Sequence, residues 1–356
     1  MRPIFQADLV NPAFGDPGLL LDLKFERRAL LFDLGDLASL PTRKILRISD
    51  VFVSHAHMDH WSGFDRLLRV RLGRDPGLRL HGPPGFIEQV GHRLASYTWN
   101  LVESYPVEFC IDVREIREDG TAGRARFCSR ARFRREDCDG VEIAGGLLLE
   151  EPQFRVLAAF FDHGIPCLGF RFEEGVHINV WKNKLEELGL PTGPWLSKVR
   201  SLVREGAPMD TPVAVRWRDR DGGRERSFSL GELCSNILSL SPGQAVCYLT
   251  DLAGTAGNAG RVIDFAKDAD LLFIEAVFMH EDLEHAERKN HLTARQAGEL
   301  ARLAGARLAV PFHFSPRYIG REQDLRQEFE AAFRGNDAES ARSSGAPPVH
   351  ELSLIH

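Results

Sequence analysis

The chain has 356 residues, 43% of them hydrophobic and 27% charged. These are ordinary globular proportions that exclude global disorder and leave room for one large α/β domain or two smaller ones. A formal net charge of −6 gives no whole-protein attraction to nucleic acid, so RNA binding would need a local basic patch. No apolar run approaches the roughly 20 residues that span a bilayer. The first eight residues lack the apolar core of a signal peptide, which makes the cytoplasm the expected location. The six cysteines (110, 128, 138, 167, 234 and 247) contain no C-x-x-C pair. In a reducing compartment they are expected as buried free thiols rather than as disulfides or metal ligands.

Taken in chain order, short apolar runs repeatedly end at a polar or ionisable residue. The run 29–32 ends at Asp33, 51–53 at Ser54 and His55, 245–250 at Asp251, 271–274 at Glu275 and 306–312 at His313. Continuous runs of this length predict strands covered on both faces, as in layered α/β proteins, with chemistry at the strand ends. Between 123 and 135, Arg124 and Arg126, then Arg130, Arg132 and Arg134, alternate with Ala125, Phe127, Ala131 and Phe133, which predicts two strand-like stretches with a basic face. The Pro/Gly-rich segment 188–194 predicts a projecting insertion arm over about 176–212. Asp221-Gly222-Gly223 predicts a hairpin turn between 213–217 and 226–229. Residues 258–267 predict a helix. Thr293 and Gln296 form a capping box that opens another, with the apolar stripe Ala297, Leu300, Ala301 and Ala304, and Gly305 ends it. The body thus spans 1–335. The Ser/Ala/Gly/Pro-rich tail 336–356 is expected to be poorly ordered, apart from a short strand or helix near 349–355.

The run His55-Ala56-His57-Met58-Asp59-His60 carries the chemistry. Side chains at i and i+2 at a strand end point the same way, so His55 and His57 can share one ion. After the turn, Asp59 and His60 can face a second. Neutral imidazoles with carboxylates suit Zn²⁺, Mn²⁺ or Fe²⁺ in a hydrolytic site.

H-x-H-x-D-H after a strand resembles the hallmark of the metallo-β-lactamase superfamily. The segment around His163 (158–173), Tyr248-Leu249-Thr250-Asp251, the stretch from Asn290 and His291, and 311–318 around His313 are similar to ribonuclease Z. The resemblance covers about 29–333. It implies an αββα sandwich with an insertion arm, and two divalent ions, of which zinc is the first expectation. It further implies His55, His57 and His163 on one ion, Asp59, His60 and His313 on the other, and Asp251 bridging them. Asp33 would orient a ligand histidine. Asp59, Glu275 and His291 would be catalytic, the last two as a carboxylate–imidazole pair that protonates the leaving alkoxide. Ser315, Arg317 and Tyr318 would bind the scissile phosphate. A hydroxide bridging the ions would attack phosphorus. The implied activity is endonucleolytic cleavage at the 3′ end of precursor tRNA by a homodimer.

The chain departs from that family's pattern at three places. Leu34-Gly35-Asp36 follows Asp33 where a Gly-Glu-Gly is usual. Ile274-Glu275-Ala276-Val277 stands for His-Glu-Ala-Thr, and His291-Leu292-Thr293 for His-Ser-Thr. The arm holds five Lys/Arg and three Glu between 176 and 209, a surplus of only two. A binuclear hydrolase of a small phosphodiester (cyclic nucleotide-like) or ester is therefore the alternative. A metal-bearing RNA-binding protein is a third reading.

Overall fold

The computed structural model describes residues 3–24, 26–75, 77–219 and 222–335. The tail 336–356 and the turn residue Asp221 lie outside the described residues. The chain forms two compact units: one holds 149–155 and 173–244, the other 2–148, 156–172 and the chain from 245 onward.

An eight-stranded sheet runs Phe5–Leu9, Leu19–Leu23, Arg28–Phe32, Ile48–Phe52, Leu78–Gly82, Cys110–Ile116, Thr121–Cys128 and Arg135–Glu142 in spatial order. It is parallel from Arg28–Phe32 to Cys110–Ile116 and antiparallel at both edges. A six-stranded sheet runs Ala309–Phe312, Leu271–Glu275, Ala245–Leu249, Pro166–Glu174, Phe154–Asp162 and Leu147–Glu151. Its first three strands are parallel. The uninterrupted apolar runs are these parallel strands, buried on both faces.

Aromatic rings fill the space between the sheets. Phe32 stacks on Phe52 at 5.0 Å, and both meet Phe170 of the second sheet at 5.6 and 5.8 Å. Outside the first sheet, the helices Phe64–Arg71 and Phe86–Ala95 bury Phe64, Leu67, Phe86 and Val90. Outside the second, Ala256–Phe265, Ala294–Leu303 and Glu322–Arg334 bury Val262, Leu300 and Phe329. This is the αββα sandwich that the sequence implied. Thr293 and Gln296 make the expected reciprocal cap, and Gly305 takes a left-handed φ of 71° past the helix end. The helix expected over 258–267 starts two residues earlier, because Thr255 accepts from the Asn258 N–H as its cap.

Two sequence expectations change. Cys110 and Cys128 are joined in a disulfide rather than free. Antiparallel register sets the two residues directly opposite each other, a pairing that their 18-residue separation conceals. The remaining four cysteines are free. Arg130, Arg132 and Arg134 do not form a strand: Ser129–Ala131 is a 3-10 turn, and Arg132 and Phe133 have left-handed φ values of 54° and 55°. Arg124 and Arg126 do lie on a strand, where Asp112 accepts from Arg126 at 2.8 Å, so that face is partly neutralised.

The segment 176–212 expected as an arm falls within the unit that holds 149–155 and 173–244. The hairpin Pro212–Asp219 with Gly222–Ser229 and the helix Leu230–Ile237 share one core with Trp195–Arg204. Leu196 and Val199 pack there with Val213, Val215 and Leu233.

Candidate metal centre

The strand Ile48–Phe52 delivers Ser54 and His55, and His57 precedes the short helix Met58–Trp61 that carries Asp59 and His60. Asp33 and His313 follow directly on a strand and Asp251 one residue after one, and each takes a left-handed φ: 57°, 60° and 51°. Asn290, next to His291, does the same at 56°. Four of the eight such non-glycine residues among those described therefore sit at this centre. Such conformations cost about 1–3 kcal/mol each and cluster at functional sites. Gly63 follows the short helix for a steric reason: a Cβ there would lie 2.1 Å from the Gly35 carbonyl oxygen.

The seven candidate ligands converge. His55, His57, His163 and Asp251 form one group of ligand atoms within 4.8 Å, and Asp59, His60 and His313 a second. The two oxygens of Asp251 divide between them. Oδ2 lies 3.6 Å from His55 Nε2 and 3.4 Å from His163 Nε2; Oδ1 lies 3.3 Å from His60 Nε2 and 3.0 Å from His313 Nδ1. His55 Nε2 and His60 Nε2 are buried without a hydrogen-bond partner. Buried imidazole nitrogens that face a carboxylate and each other are costly unless a cation occupies the space between them. The donor set thus fits two divalent ions. Of the two other such groups among the described residues, Asp251 with Glu275 and His313 overlaps this centre, and Glu108 with Cys110 and Cys128 has both sulfurs in the disulfide.

The opposite ring nitrogens fix which atom faces the centre. Asp33 Oδ2 accepts from His60 Nδ1 at 2.8 Å, and Asp33 also receives the Ser54 N–H, the Ser54 hydroxyl and the Tyr248 hydroxyl. With its proton committed to Asp33, the Ser54 oxygen can accept from His55 Nδ1 at 3.1 Å. His163 Nδ1 donates to the Asn290 carbonyl at 2.8 Å. Each contact leaves Nε2 unprotonated towards the centre. Sequence reasoning missed Ser54, Tyr248 and Asn290. The first two adjoin recognised motifs, whereas the third acts through its backbone and leaves no side-chain signal. Burial and the neighbouring His60 push the His55 imidazole down to about 2, the neutral ligand form, against the pull of Asp251. Burial opposes charge on Asp251 as well, but His60 and His313 hold its carboxyl well below the usual range.

Glu275, fully buried, accepts from His291 Nδ1 at 2.7 Å and from the backbone of Leu252 and Leu292 at 2.8 and 3.3 Å. The His291 ring lies 4.8 Å from that of His163 and 5.8 Å from that of His313. Burial alone would lower its pKa, yet Glu275 and then Asp251 raise it. Ser315 and Arg317 line a cavity of about 440 Å³ together with Asp59, His291 and His313. Tyr318 does not line it: it is buried, and its hydroxyl donates to Asp282.

Residues 211–314 match the profile described as "Beta-lactamase superfamily domain". That span includes Asp251, Glu275, His291 and His313 but not the 55–60 run. Ribonuclease Z of Deinococcus radiodurans is 31% identical over 306 residues, covering 85% of this chain and 86% of that protein. Ribonuclease BN of Proteus mirabilis is 27% identical, covering 85% of each. The metallo-β-lactamase fold protein YhfI of Bacillus subtilis shares the fold, with a TM-score of 0.51 and 16% identity over 93% of both chains. Among the described residues no helix is long and apolar enough to cross a membrane. The chain is accordingly a metal-dependent hydrolase with a binuclear-type ligand cluster, and it belongs to the ribonuclease Z family of the metallo-β-lactamase superfamily.

Proposed function

We propose that this enzyme is a phosphodiesterase that cuts RNA endonucleolytically, with the 3′ end of precursor tRNA as the substrate its relatives suggest. The observation that carries this reading is the Glu275–His291 pair at 2.7 Å, whose His291 lines the same cavity as Asp59, His313, Ser315 and Arg317. His55, His57 and His163 would hold one ion and Asp59, His60 and His313 the other, with Asp251 shared. Two such ions supply a water that is acidic near neutral pH and charge compensation at phosphorus. Arg317 and Ser315 bind phosphate oxygens, and Asp59 holds His313 through Oδ2 at 3.3 Å. His291, kept protonated by Glu275, gives its proton to the departing ribose oxygen, which a phosphodiester with an alkoxide leaving group requires. A carboxylic ester hydrolase needs no arginine at this place, which favours phosphodiesters.

Zinc is the ion we propose, since five imidazoles and two carboxylates suit it; manganese or iron are the alternatives. We further propose a homodimer located in the cytoplasm, with the 173–244 unit of one copy serving RNA bound by the other. Incubation with a 3′-extended precursor tRNA and, separately, with bis-p-nitrophenyl phosphate, under Zn²⁺ and Mn²⁺, tests the reading. Cleavage of both supports it. Turnover of the small diester alone would replace RNA with a small phosphodiester as substrate.

A further inference from the structure

One part of the active cavity is not used by the metals or by the proton-transfer pair. His285, Lys289 and Arg317 line it, with Phe278 at its wall. The Arg317 guanidinium lies over the Phe278 ring at 5.6 Å and donates to Asp282 at 3.3 Å, so part of its charge is already answered. The His285 ring meets the edge of Phe278 at 5.0 Å, and Arg288 approaches its Nδ1 at 3.4 Å. Burial, Arg317, Arg288 and Lys289 keep His285 below its usual range, which leaves it neutral and able to donate from its other nitrogen. Lys289 is exposed, and no carboxylate pairs with it among the described residues.

We propose that Lys289 and His285, beside the Arg317 that takes the scissile phosphate, form a second phosphate subsite that takes the phosphate of the nucleotide flanking the scissile bond. This rests on the phosphodiesterase reading above and narrows it. A substrate would carry at least one phosphate besides the one attacked, as an oligonucleotide does and a cyclic nucleotide or simple ester does not. The ammonium is a mobile point charge on a flexible stem, suited to a phosphate whose position shifts with the sugar it belongs to. Lys289 also follows the C-terminus of the helix Leu283–Arg288, where a cation offsets the helix dipole. That role alone would not discriminate between substrates.

The test uses the metal-loaded enzyme and three dinucleotides: UpU, its 5′-phosphorylated form pUpU and its 3′-phosphorylated form UpUp. Initial rates give KM and kcat for each. For the wild type, one of the two phosphorylated forms should have a KM about tenfold below that of UpU, the effect of one charge-assisted contact. Which form gains identifies the side of the scissile bond that Lys289 serves. Lys289→Ala should bring the KM ratio to about one, and Lys289→Arg should restore most of it. Melting curves and metal content compare the folds, and Lys289→Gln provides a second neutral variant. An unchanged ratio in Lys289→Ala and Lys289→Gln, or no preference in the wild type, would overturn the subsite while leaving the RNA-cleaving reading intact. If precursor tRNA and all three dinucleotides resist while bis-p-nitrophenyl phosphate is turned over, the reading of RNA as substrate fails and the subsite fails with it.

Discussion

Asp33 offers a sharp test of how the centre is held, because it touches no candidate ion and yet governs one ligand. Its carboxylate receives four contacts: the Ser54 N–H at 2.7 Å, the Ser54 hydroxyl at 2.9 Å, His60 Nδ1 at 2.8 Å and the Tyr248 hydroxyl at 3.1 Å. Asp33→Asn is the informative change, since asparagine tolerates the left-handed φ of 57° that alanine would not. Either orientation of the amide sets donor against donor. With the amide nitrogen towards His60, the imidazole proton moves to Nε2, the atom that should face the ion. With the nitrogen towards Ser54, a buried backbone N–H loses its acceptor, at about 1–3 kcal/mol. Changes of this kind typically reduce metal affinity or activity about 10- to 100-fold, or roughly 1.4–2.8 kcal/mol. Competition for Zn²⁺ against a chromophoric chelator should show that loss for Asp33→Asn, alongside a similar fall in turnover. Affinity within twofold of wild type would refute the claim that Asp33 sets the His60 tautomer.

Other expectations can be checked in parallel. Asp251→Ala removes the carboxylate between the two ligand groups. It should cost turnover of any substrate several kcal/mol, on the order of 10³-fold, and lower bound metal by elemental analysis; retained activity would mean that Asp251 is not shared. Glu275→Gln should lower kcat for RNA about 10²-fold or more but affect bis-p-nitrophenyl phosphate far less, because p-nitrophenolate departs without a proton. Equal losses on the two substrates would remove the pair from proton transfer. Asp50→Asn concerns stability. Asp50 is fully buried, and it accepts from Arg28 at 2.8 Å and meets Arg79 at 2.6 Å. Burial works against its charge, but His81 and Arg79 hold its carboxyl well below the usual range. Burial also keeps His81 itself low, so the arginines supply the compensating charge. The variant should lose about 3 kcal/mol by urea denaturation at pH 7. Because the folded carboxyl is the more acidic form, the deficit is fully present above the unfolded pKa of about 4 and shrinks as pH falls below it. A deficit that grows in acid would contradict the assignment. Finally, denatured protein should titrate four thiols before reduction and six after it.

Much of the centre was legible in the sequence because its ligands sit where apolar runs stop. The runs before Asp33, Asp251, Glu275 and His313 are strands as read, and the 55–60 motif lies at the end of Ile48–Phe52. What could not be read depends on register and on partners far along the chain. The pairing of Cys110 with Cys128 needs the antiparallel alignment of two strands. The bond between Tyr248 and Asp33 spans 215 positions, and His163 finds its acceptor on a backbone carbonyl 127 positions away. The alternation through Arg134 failed for another reason: a turn can repeat with the period of a strand when Arg132 and Phe133 both adopt left-handed φ.

The left-handed strand ends explain how two sheets can place one compact centre. A strand that continued in extended geometry would send successive side chains to opposite faces, so only alternate residues could reach the centre. At Asp33, Asp251 and His313 the chain instead leaves the extended region at the residue that carries the function. The backbone thus turns away while the side chain stays over the strand end. Aspartate, asparagine and histidine tolerate this conformation better than branched residues do. The same residue types also supply the carboxylates and imidazoles that the ions need. Conformational tolerance and ligand chemistry therefore select the same side chains at these ends. On this argument Asp251→Asn should fold with its backbone unchanged and fail only in metal binding. Asp251→Val should also lose stability, because a β-branched side chain is strained at a φ of 51°. Equal melting temperatures for the two metal-free variants would show that the strand-end conformation carries no such constraint.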